Sequence, residues 1–301
     1  MNDYQRIEKL KKEKNAVILA HYYVHDEVQQ IADYIGDSFY LSKIAAATDA
    51  DTIVFCGVSF MGESAKILNP EKTVLMPDET ADCPMAHMAD PAYIEQLRQE
   101  YDDLAVVCYI NSTAELKCCS DVCVTSSNAM KIVKKLPNKN IFFIPDENLG
   151  RYIASQVPEK NFIFNDGCCH VHAAISAEEA AAAKKSHPDA QFIVHPECRP
   201  EVLALADFIG STSELIDYAT ECGAREYIVG TELGVLYELK QKNPDKVFYS
   251  AGSVQCCPNM KKITTEKIIH VLETGENAVS VTEELRLKAS APLNRMLELA
   301  K

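Results

Sequence analysis

Several features are scarce or missing in this 301-residue chain, and each absence narrows what it can do. Basic residues are outnumbered, with 30 Lys and Arg against 44 Asp and Glu, so the formal net charge is −14. We therefore expect neither a nucleic acid nor an anionic membrane as the main partner. Hydrophobic runs fall short of the ~18 residues that a membrane-spanning helix needs, and the charged N-terminal region lacks the apolar segment of a signal peptide. We expect a cytoplasmic protein.

Cysteine is plentiful, at 12 residues, but the Cys-x-x-Cys pairs of zinc ribbons are missing. The nearest arrangement is Cys119-x-x-x-Cys123, next to Cys118. A reducing compartment disfavours disulfides, and a chain of this length can bury a core without them. We therefore expect the cysteines to be mostly buried thiols or metal ligands.

What the chain does contain is a long internal repeat. An apolar segment that ends in polar residues occurs at 17–23, 106–111 and 192–197. Each segment is typical of a buried parallel strand whose C-terminal end lies where open α/β sheets bind ligands. Equivalent residues are separated by 88 and then 86 positions, in the series His21, Tyr109 and His195; Tyr23, Asn111 and Glu197; and Ser38, Ser126 and Thr212.

A period this long indicates a repeated domain, because solenoid repeats span only about 20 to 50 residues. We predict an α/β protein made of three copies of one βα domain. The predicted domains are residues 1–88 with an N-terminal helix, 89–175 and 176–264, and the C-terminal helices at 265–301 are expected to pack on the first domain. Because no Pro/Ser-rich linker or low-complexity tract separates them, the domains should be packed tightly together.

Three cysteines repeat in the same way, since Cys83, Cys169 and Cys257 are 86 and 88 residues apart. Each follows a predicted strand, and the three would meet at one point only if the domains are arranged around a pseudo-threefold axis. Three thiolates suit either a zinc ion with an open position or a 4Fe-4S cluster with one iron free of protein ligands. Buried thiols that merely share a register are the alternative.

The second and third of these cysteines lie in the doublets 168–169 and 256–257. Neighbours in an extended chain point to opposite sides, which leaves the ligand open by one residue. The similarity of Cys83-Pro84-Met85 to Cys257-Pro258-Asn259-Met260 favours the second member of each doublet.

The repeated polar residues could form one binding site. Ser38, Ser126 and Thr212 lie at predicted helix starts, which favour anions, although helix capping alone would explain each of them. The residues at the strand ends would add donors, acceptors and a general acid or base to the same cavity. They are His21, Tyr23, Tyr109, Asn111, His195 and Glu197.

Seven short segments are together more specific than any single motif. They are Leu-Ala-His-Tyr-Tyr at 19–23, Gly-Asp-Ser at 36–38, Tyr-Ile-Asn-Ser at 109–112, Cys-His-Val-His at 169–172, His-Pro-Glu-Cys at 195–198, Gly-Ser-Thr at 210–212 and Cys-Pro-Asn-Met-Lys at 257–261. With these segments the chain resembles the iron-sulfur quinolinate synthetase A family, over roughly residues 15–300. The resemblance implies three αβα domains related by a pseudo-threefold axis, each with a small, mostly parallel sheet, around a central active site. It also implies a 4Fe-4S cluster with one open iron, bound by Cys83, Cys169 and Cys257.

The resemblance also implies an activity. The family condenses iminoaspartate (iminosuccinate) with dihydroxyacetone phosphate to give quinolinate, phosphate and water in NAD biosynthesis, which makes it a transferase. The open iron would act as a Lewis acid for dehydration, and an aspartate oxidase or dehydrogenase would supply iminoaspartate. By resemblance the substrate pocket contains His21, Ser38, Tyr109, Asn111, Ser126, His195, Glu197 and Thr212. Tyr23 and Glu197, followed by His195, are the candidates for proton transfer.

Three other functions stay open. A diphthamide-type S-adenosylmethionine radical enzyme resembles the same plan of three domains that each supply one cluster cysteine. A non-enzymatic iron-sulfur redox sensor would leave the polar strand ends without a role. A three-thiolate zinc hydrolase would differ in its metal.

Overall fold

The structure, a computed structural model, describes residues 2–301. It confirms the α/β prediction, because three separate four-stranded sheets follow one another along the chain, as expected of three αβα domains. All strand pairs within these sheets are parallel. In the described part of the chain, none of the helices combines the length and the apolar character needed to cross a membrane.

The first sheet has the strand order β2-β1-β3-β4. Its strands are β1 (Ala16–His21), β2 (Tyr34–Gly36), β3 (Thr52–Cys56) and β4 (Thr73–Leu75). The helices around it are α1 (Asp3–Glu13), α2 (Asp26–Ile31), α3 (Ser38–Ala47) and α4 (Ser59–Leu68). A 3₁₀ turn at Pro84–His87 follows the loop that carries Cys83.

The second sheet repeats this arrangement in the order β6-β5-β7-β8. Its strands are β5 (Leu104–Tyr109), β6 (Val122–Val124), β7 (Asn140–Ile144) and β8 (Asn161–Phe164). The helices of this region are α5 (Pro91–Glu100), α6 (Ala114–Cys118), α7 (Ala129–Lys135), α8 (Glu147–Gln156) and α9 (His170–Ala173).

The third sheet has the order β10-β9-β11-β12. Its strands are β9 (Gln191–Val194), β10 (Phe208–Ile209), β11 (Glu226–Gly230) and β12 (Val247–Ser250). The helices of this region are α10 (Ala177–Ser186), α11 (Pro200–Leu203), α12 (Thr212–Glu221) and α13 (Leu236–Lys242), with 3₁₀ turns at Leu233–Val235 and Met260–Lys262. The chain ends in α14 (Thr265–Thr274) and α15 (Glu283–Leu299).

One predicted helix is shorter in the structure, because an edge strand takes its last residues. The sequence pattern predicts a helix from Asp26 to Ile35, but α2 ends at Ile31 and the residues that follow form β2. Asp33 causes this change, because its carboxylate accepts the backbone N–H of Ile18 at 2.8 Å and its own N–H bonds to Ile18 O. The segment is thereby held beside β1 as a strand.

The same contact occurs in all three sheets. Asp121 accepts the N–H of Val106 at 2.7 Å, and Asp207 accepts the N–H of Phe192 at 2.7 Å. Each of the three aspartates also pairs with a cation from a nearby helix, in the ion pairs Lys11–Asp33, Arg98–Asp121 and Lys184–Asp207. The repeat in the sequence therefore corresponds to a repeat of contacts.

The hydrophobic core is shared unequally. One continuous cluster of buried side chains extends through the first two sheets and includes residues of α14 and α15, whereas the third sheet packs in two separate clusters. Helix α14 packs on α1, and α15 packs against α4, α6 and α7. The C-terminal helices therefore contact the first and the second sheet together.

Candidate active site

The C-terminal ends of the central strands surround one cavity with an empty volume of about 780 Å³, including its mouth. All the site residues predicted from the sequence line it, namely His21, Tyr23, Ser38, Cys83, Tyr109, Asn111, Ser126, Cys169, His195, Glu197, Thr212 and Cys257. The structure therefore brings together side chains that are as far as 236 residues apart, from His21 to Cys257.

The three cysteines reach the cavity from three directions. Cys169 and Cys257 line it, whereas Cys168 faces a separate surface depression and Cys256 is exposed. Burial raises the pKa of the Cys83 thiol to about 12 and also raises the pKa of Cys169 and Cys257. The thiols are therefore protonated on their own, and a metal that binds them must displace protons.

The three sulfurs do not lie as close together as the ligands of a single metal ion. Among residues 2–301, one set of three Cys, His, Asp or Glu side chains has donor atoms that all lie within 4.8 Å of one another, and it is Cys169, His172 and Glu197. Cys83, Cys169 and Cys257 do not form such a set. Three thiolates on one zinc ion lie about 3.8 Å apart, given Zn–S bonds of about 2.3 Å. As the side chains stand, the three sulfurs are therefore not all close enough to bind one zinc ion.

Two histidines occupy equivalent strand ends with the same local geometry. His21 Nδ1 accepts the N–H of Tyr23 at 3.2 Å, and His195 Nδ1 accepts the N–H of Glu197 at 3.3 Å. Burial lowers the pKa of both imidazoles to about 3. Because Nδ1 is the acceptor, the proton of each neutral ring lies on Nε2, which makes that atom a hydrogen-bond donor.

One continuous chain of hydrogen bonds, which we call the relay chain, crosses the cavity wall. It passes through six side chains, in the order Thr212, Tyr23, Thr231, His172, Glu197 and Tyr109. The consecutive distances between their polar atoms are 2.6, 2.9, 2.9, 2.7 and 2.5 Å. Because it joins residues that follow central strands of all three sheets, the relay chain exists only when the three sheets are assembled.

Glu197 is the carboxylate of this chain and is 3% exposed. Burial opposes its ionisation, but the contacts with His172 and His195 outweigh burial and lower its pKa. Burial raises the pKa of Tyr23 and Tyr109 well above the ordinary value, so both phenols keep their protons. The relay chain therefore contains an ionised acceptor and two protonated donors.

The prediction that Ser38, Ser126 and Thr212 lie at helix starts needs a correction. Ser38 and Thr212 are the first residues of α3 and α12, but the capping side chains are those of Asp37 and Ser211, which accept N–H groups of the first turn. Ser126 lies in a turn before α7, which begins at Ala129 and not at Ser126 or Ser127 as predicted. The reason is that the side chain of Asn128 accepts the N–H of Thr125 at 2.8 Å and closes a turn there.

The wall can still receive an anion. None of the described residues that line the cavity is Lys or Arg, and Asp37, Glu197 and Glu232 are among them. The starts of α3 and α12, at Ser38 and Thr212, are the features of the cavity that favour an anion. The buried Oδ1 atom of Asn111 has no hydrogen-bond partner within the protein. An unpaired buried acceptor is costly, and a ligand that donates a proton to it would remove that cost.

Sequence reasoning missed four residues of this site. His172 and Thr231 complete the relay chain, and the buried carboxylates of Asp146 and Glu232 accept the backbone N–H groups of Cys169 and Cys257. His172 stands in the segment Cys-His-Val-His but has no counterpart in the other repeats. Asp146 and Glu232 are 86 residues apart, which is the step between the second and third repeats, so a search for pairs would have found them.

Comparison with known proteins agrees over nearly the whole chain. A family model described as "Quinolinate synthetase A protein" matches residues 5–298. The quinolinate synthase of Caldicellulosiruptor saccharolyticus is 51% identical over 296 residues, which cover 98% of each chain. The quinolinate synthases of Fusobacterium nucleatum and Clostridioides difficile are 54% and 52% identical over 295 residues, which cover 98% of this chain. The residues matched by the family model include all three sheets and the relay chain.

Proposed function

This chain belongs to the quinolinate synthetase A family, and from this we propose that it forms quinolinate by condensing iminoaspartate with dihydroxyacetone phosphate, releasing phosphate and water. In this proposal it is a transferase of cytoplasmic NAD biosynthesis, supplied with iminoaspartate by an aspartate oxidase or dehydrogenase. The observation that carries the proposal is the convergence of three cysteines and one relay chain on a single cavity.

We assign Cys83, Cys169 and Cys257 to a 4Fe-4S cluster, because they line one cavity and are too widely spread for one zinc ion. When bound, such a cluster supplies a Lewis-acidic iron that polarises an oxygen of the substrate. The rest of the chemistry falls to side chains of the cavity.

Binding of the two anionic substrates is the task of the neutral donors. Ser38 and Thr212 place the starts of α3 and α12 at the cavity, where free N–H groups bind phosphate and carboxylate oxygens. His21 and His195 offer Nε2–H groups, and Asn111 offers an unpaired acceptor beside Tyr109 and Ser126. Together they orient the reacting carbon atoms for bond formation.

Proton transfer is the task of the relay chain. Condensation and ring closure require a proton to leave a carbon atom, and dehydration requires one at the departing oxygen. The ionised Glu197 is the acceptor for the first, and Tyr23 is the donor for the second. His172 and Thr231 connect these two residues, so that a proton accepted at Glu197 can be returned at Tyr23. His195 stacks on His172 at 4.7 Å and holds its ring in place.

The test is quinolinate formation under anaerobic conditions. Reconstituted protein is given dihydroxyacetone phosphate and freshly generated iminoaspartate, and iron and sulfide are counted per chain. We expect quinolinate from the wild type, none from Cys83→Ala, and a loss of about 100-fold or more in Glu197→Gln.

Three results would contradict this assignment. A full cluster without quinolinate would point to another substrate, for which S-adenosylmethionine binding is tested next. Zinc in place of iron would favour the set of Cys169, His172 and Glu197 as a site for a single ion. Full turnover in both Glu197→Gln and Tyr23→Phe would remove the relay chain from the mechanism.

A further inference from the structure

Two buried carboxylates lie behind the cysteine loops at equivalent places. Asp146 follows β7 and Glu232 follows β11, each the neighbour of a central strand on the same side of its sheet. They are 86 residues apart, and both side chains are 0% exposed. Burial of a carboxylate costs free energy unless hydrogen bonds satisfy it, so Asp146 and Glu232 each need hydrogen-bond donors.

In each carboxylate, one oxygen bonds to a helical turn and the other bonds to the N–H of a cysteine. Asp146 Oδ1 accepts the N–H of Leu149 at 2.7 Å, in the first turn of α8, and Oδ2 accepts the N–H of Cys169 at 3.1 Å. Glu232 Oε2 accepts the N–H of Gly234 at 2.6 Å, and Oε1 accepts the N–H of Cys257 at 3.0 Å. One oxygen therefore fixes a helical turn, and the other fixes the backbone of a cysteine that faces the cavity.

We propose that Asp146 and Glu232 are positioning residues that select Cys169 and Cys257, and not their neighbours Cys168 and Cys256, as ligands of the cluster. This inference rests on the ligand set of the proposed function. Adjacent residues of an extended segment point to opposite sides. A hydrogen bond that holds the N–H of the second cysteine therefore turns the second thiol toward the cavity and the first thiol outward.

Both oxygens are needed for this role. An amide of the same shape has one acceptor oxygen, and its NH₂ group would face the N–H of either the cysteine or the helical turn. Asp146→Asn and Glu232→Gln therefore each lose one of the two anchors and keep the volume of the side chain. The cysteine segment then gains freedom to rotate, and the outward thiol can compete for the metal.

Glu232 has an additional partner. Lys261 Nζ lies 3.3 Å from Glu232 Oε1 and donates to the backbone oxygen of Tyr23 at 2.7 Å. The anchor of Cys257 is thereby tied to the loop that carries one end of the relay chain. We expect Glu232→Gln to disturb both the cluster and the position of Tyr23, whereas Asp146→Asn disturbs the cluster alone.

The experiment measures how firmly the metal is held. Wild type, Asp146→Asn and Glu232→Gln are reconstituted anaerobically, and the rate of iron loss to a colorimetric chelator of ferrous iron is followed. Ser176→Ala serves as the matched control, because Ser176 caps α10 and bonds Glu179 but contacts none of the three cysteines. Thermal midpoints of the metal-free proteins report any general loosening.

We expect iron loss to be about 10- to 100-fold faster in the two amide variants and to stay within about twofold of wild type in Ser176→Ala. Adding Cys168→Ser to Asp146→Asn should lower the amount of cluster further, because it removes the thiol that replaces Cys169 as a ligand in the amide variant. Glu232→Asp keeps the charge and withdraws it by one methylene, and it should also speed iron loss, which covers the case in which an amide variant does not fold.

The inference would be overturned if Asp146→Asn and Glu232→Gln lost iron at the wild-type rate. It would also be overturned if Ser176→Ala lost iron as fast as these two variants. Either result would leave the proposed function intact. A wild type that binds no 4Fe-4S cluster would contradict the ligand set itself, and with it the assignment of anchors. The two failures are therefore distinguishable by the iron and sulfide content of the wild type.

Discussion

The loop of Cys83 and the loops of Cys169 and Cys257 share a backbone arrangement but not an anchor. In all three sheets an N–H at the start of a helical turn bonds to a backbone oxygen of the cysteine loop, in the pairs Ser59–Ala81, Glu147–Gly167 and Leu233–Gln255, at 2.8, 2.7 and 2.9 Å. The position equivalent to Asp146 and Glu232 in the first sheet is Val58, which carries no carboxylate. The repeat therefore preserves the path of the chain, while its side chains have diverged.

The first loop is instead held by pairs of side chains in which at least one partner is exposed. Asp82 is 45% exposed and bonds to Ser59 and to His87. Lys267 from α14 pairs with Asp78, whose side chain is 11% exposed. Surface ion pairs contribute little and are weakened by salt, whereas buried carboxylates with two backbone donors are strong and insensitive to solvent. We infer that the first loop is the most easily loosened of the three.

The largest difference between the loops should appear in stability. Asp146→Ala leaves the buried N–H groups of Leu149 and Cys169 without an acceptor, so the free energy of unfolding of the metal-free protein should fall by about 3 kcal/mol. Asp82→Ala, at an exposed site, should change it by less than about 0.5 kcal/mol. Urea unfolding of both variants measures this contrast, and equal losses would show that the two anchors are equivalent.

An effect of intermediate size is expected on the free energy of unfolding in acid. Burial alone would raise the pKa of Asp78, but hydrogen bonds from Lys267 and Thr80 outweigh it and lower the pKa to about 2 from 3.8. A lowered folded-state pKa stabilises the fold above about pH 4, and this contribution is lost as the pH falls toward 2. Because Lys267 is 43% exposed, we expect a contribution of only about 1 kcal/mol.

Asp78→Asn should therefore unfold about 1 kcal/mol more easily than wild type at pH 7, and the gap should narrow as the pH falls from 4 to 3. Unfolding curves across this range, with and without added salt, are the measurement. A gap that widens in acid would assign the stabilising state to the protonated carboxyl and contradict the ion pair with Lys267.

The smallest effects should come from the outward thiols, which occur only in the second and third cysteine loops. Cys168→Ser and Cys256→Ser should keep cluster content and quinolinate formation within about twofold of wild type, because neither side chain lines the cavity. Iron and sulfide analysis, together with a turnover assay, tests this prediction. Loss of the cluster in Cys168→Ser alone would move the second ligand by one residue.

The sequence predicted the central strands well, because buried parallel strands are continuous apolar runs. The sequence pattern predicts a strand at 191–194, which is β9, and helices near 91–100 and 177–186, which are α5 and α10. The edge strands β2, β6 and β10 have only two or three residues and carry no periodic pattern. They depend on the contacts of Asp33, Asp121 and Asp207 with the neighbouring strand, which a local pattern does not contain.

Prediction of the site residues likewise succeeded only where the sequence contains a pattern. The polar residues and cysteines predicted for the site from threefold spacing all line the cavity. Asp146 and Glu232 repeat only twice, since Val58 interrupts the series, and His172 does not repeat at all. A search for threefold series therefore could not reach the residues by which the repeats differ.

The sequence by itself determined that three similar βα units exist and which strand ends carry polar side chains, because apolar periodicity and spacing are properties of the chain. Only the tertiary structure decided which atoms meet. Tyr109 and Glu197 are separated by 88 residues, and Tyr23 and Thr231 by 208, yet each pair is joined by a hydrogen bond. Such contacts depend on the packing of the three sheets around one cavity, and no local pattern encodes that geometry.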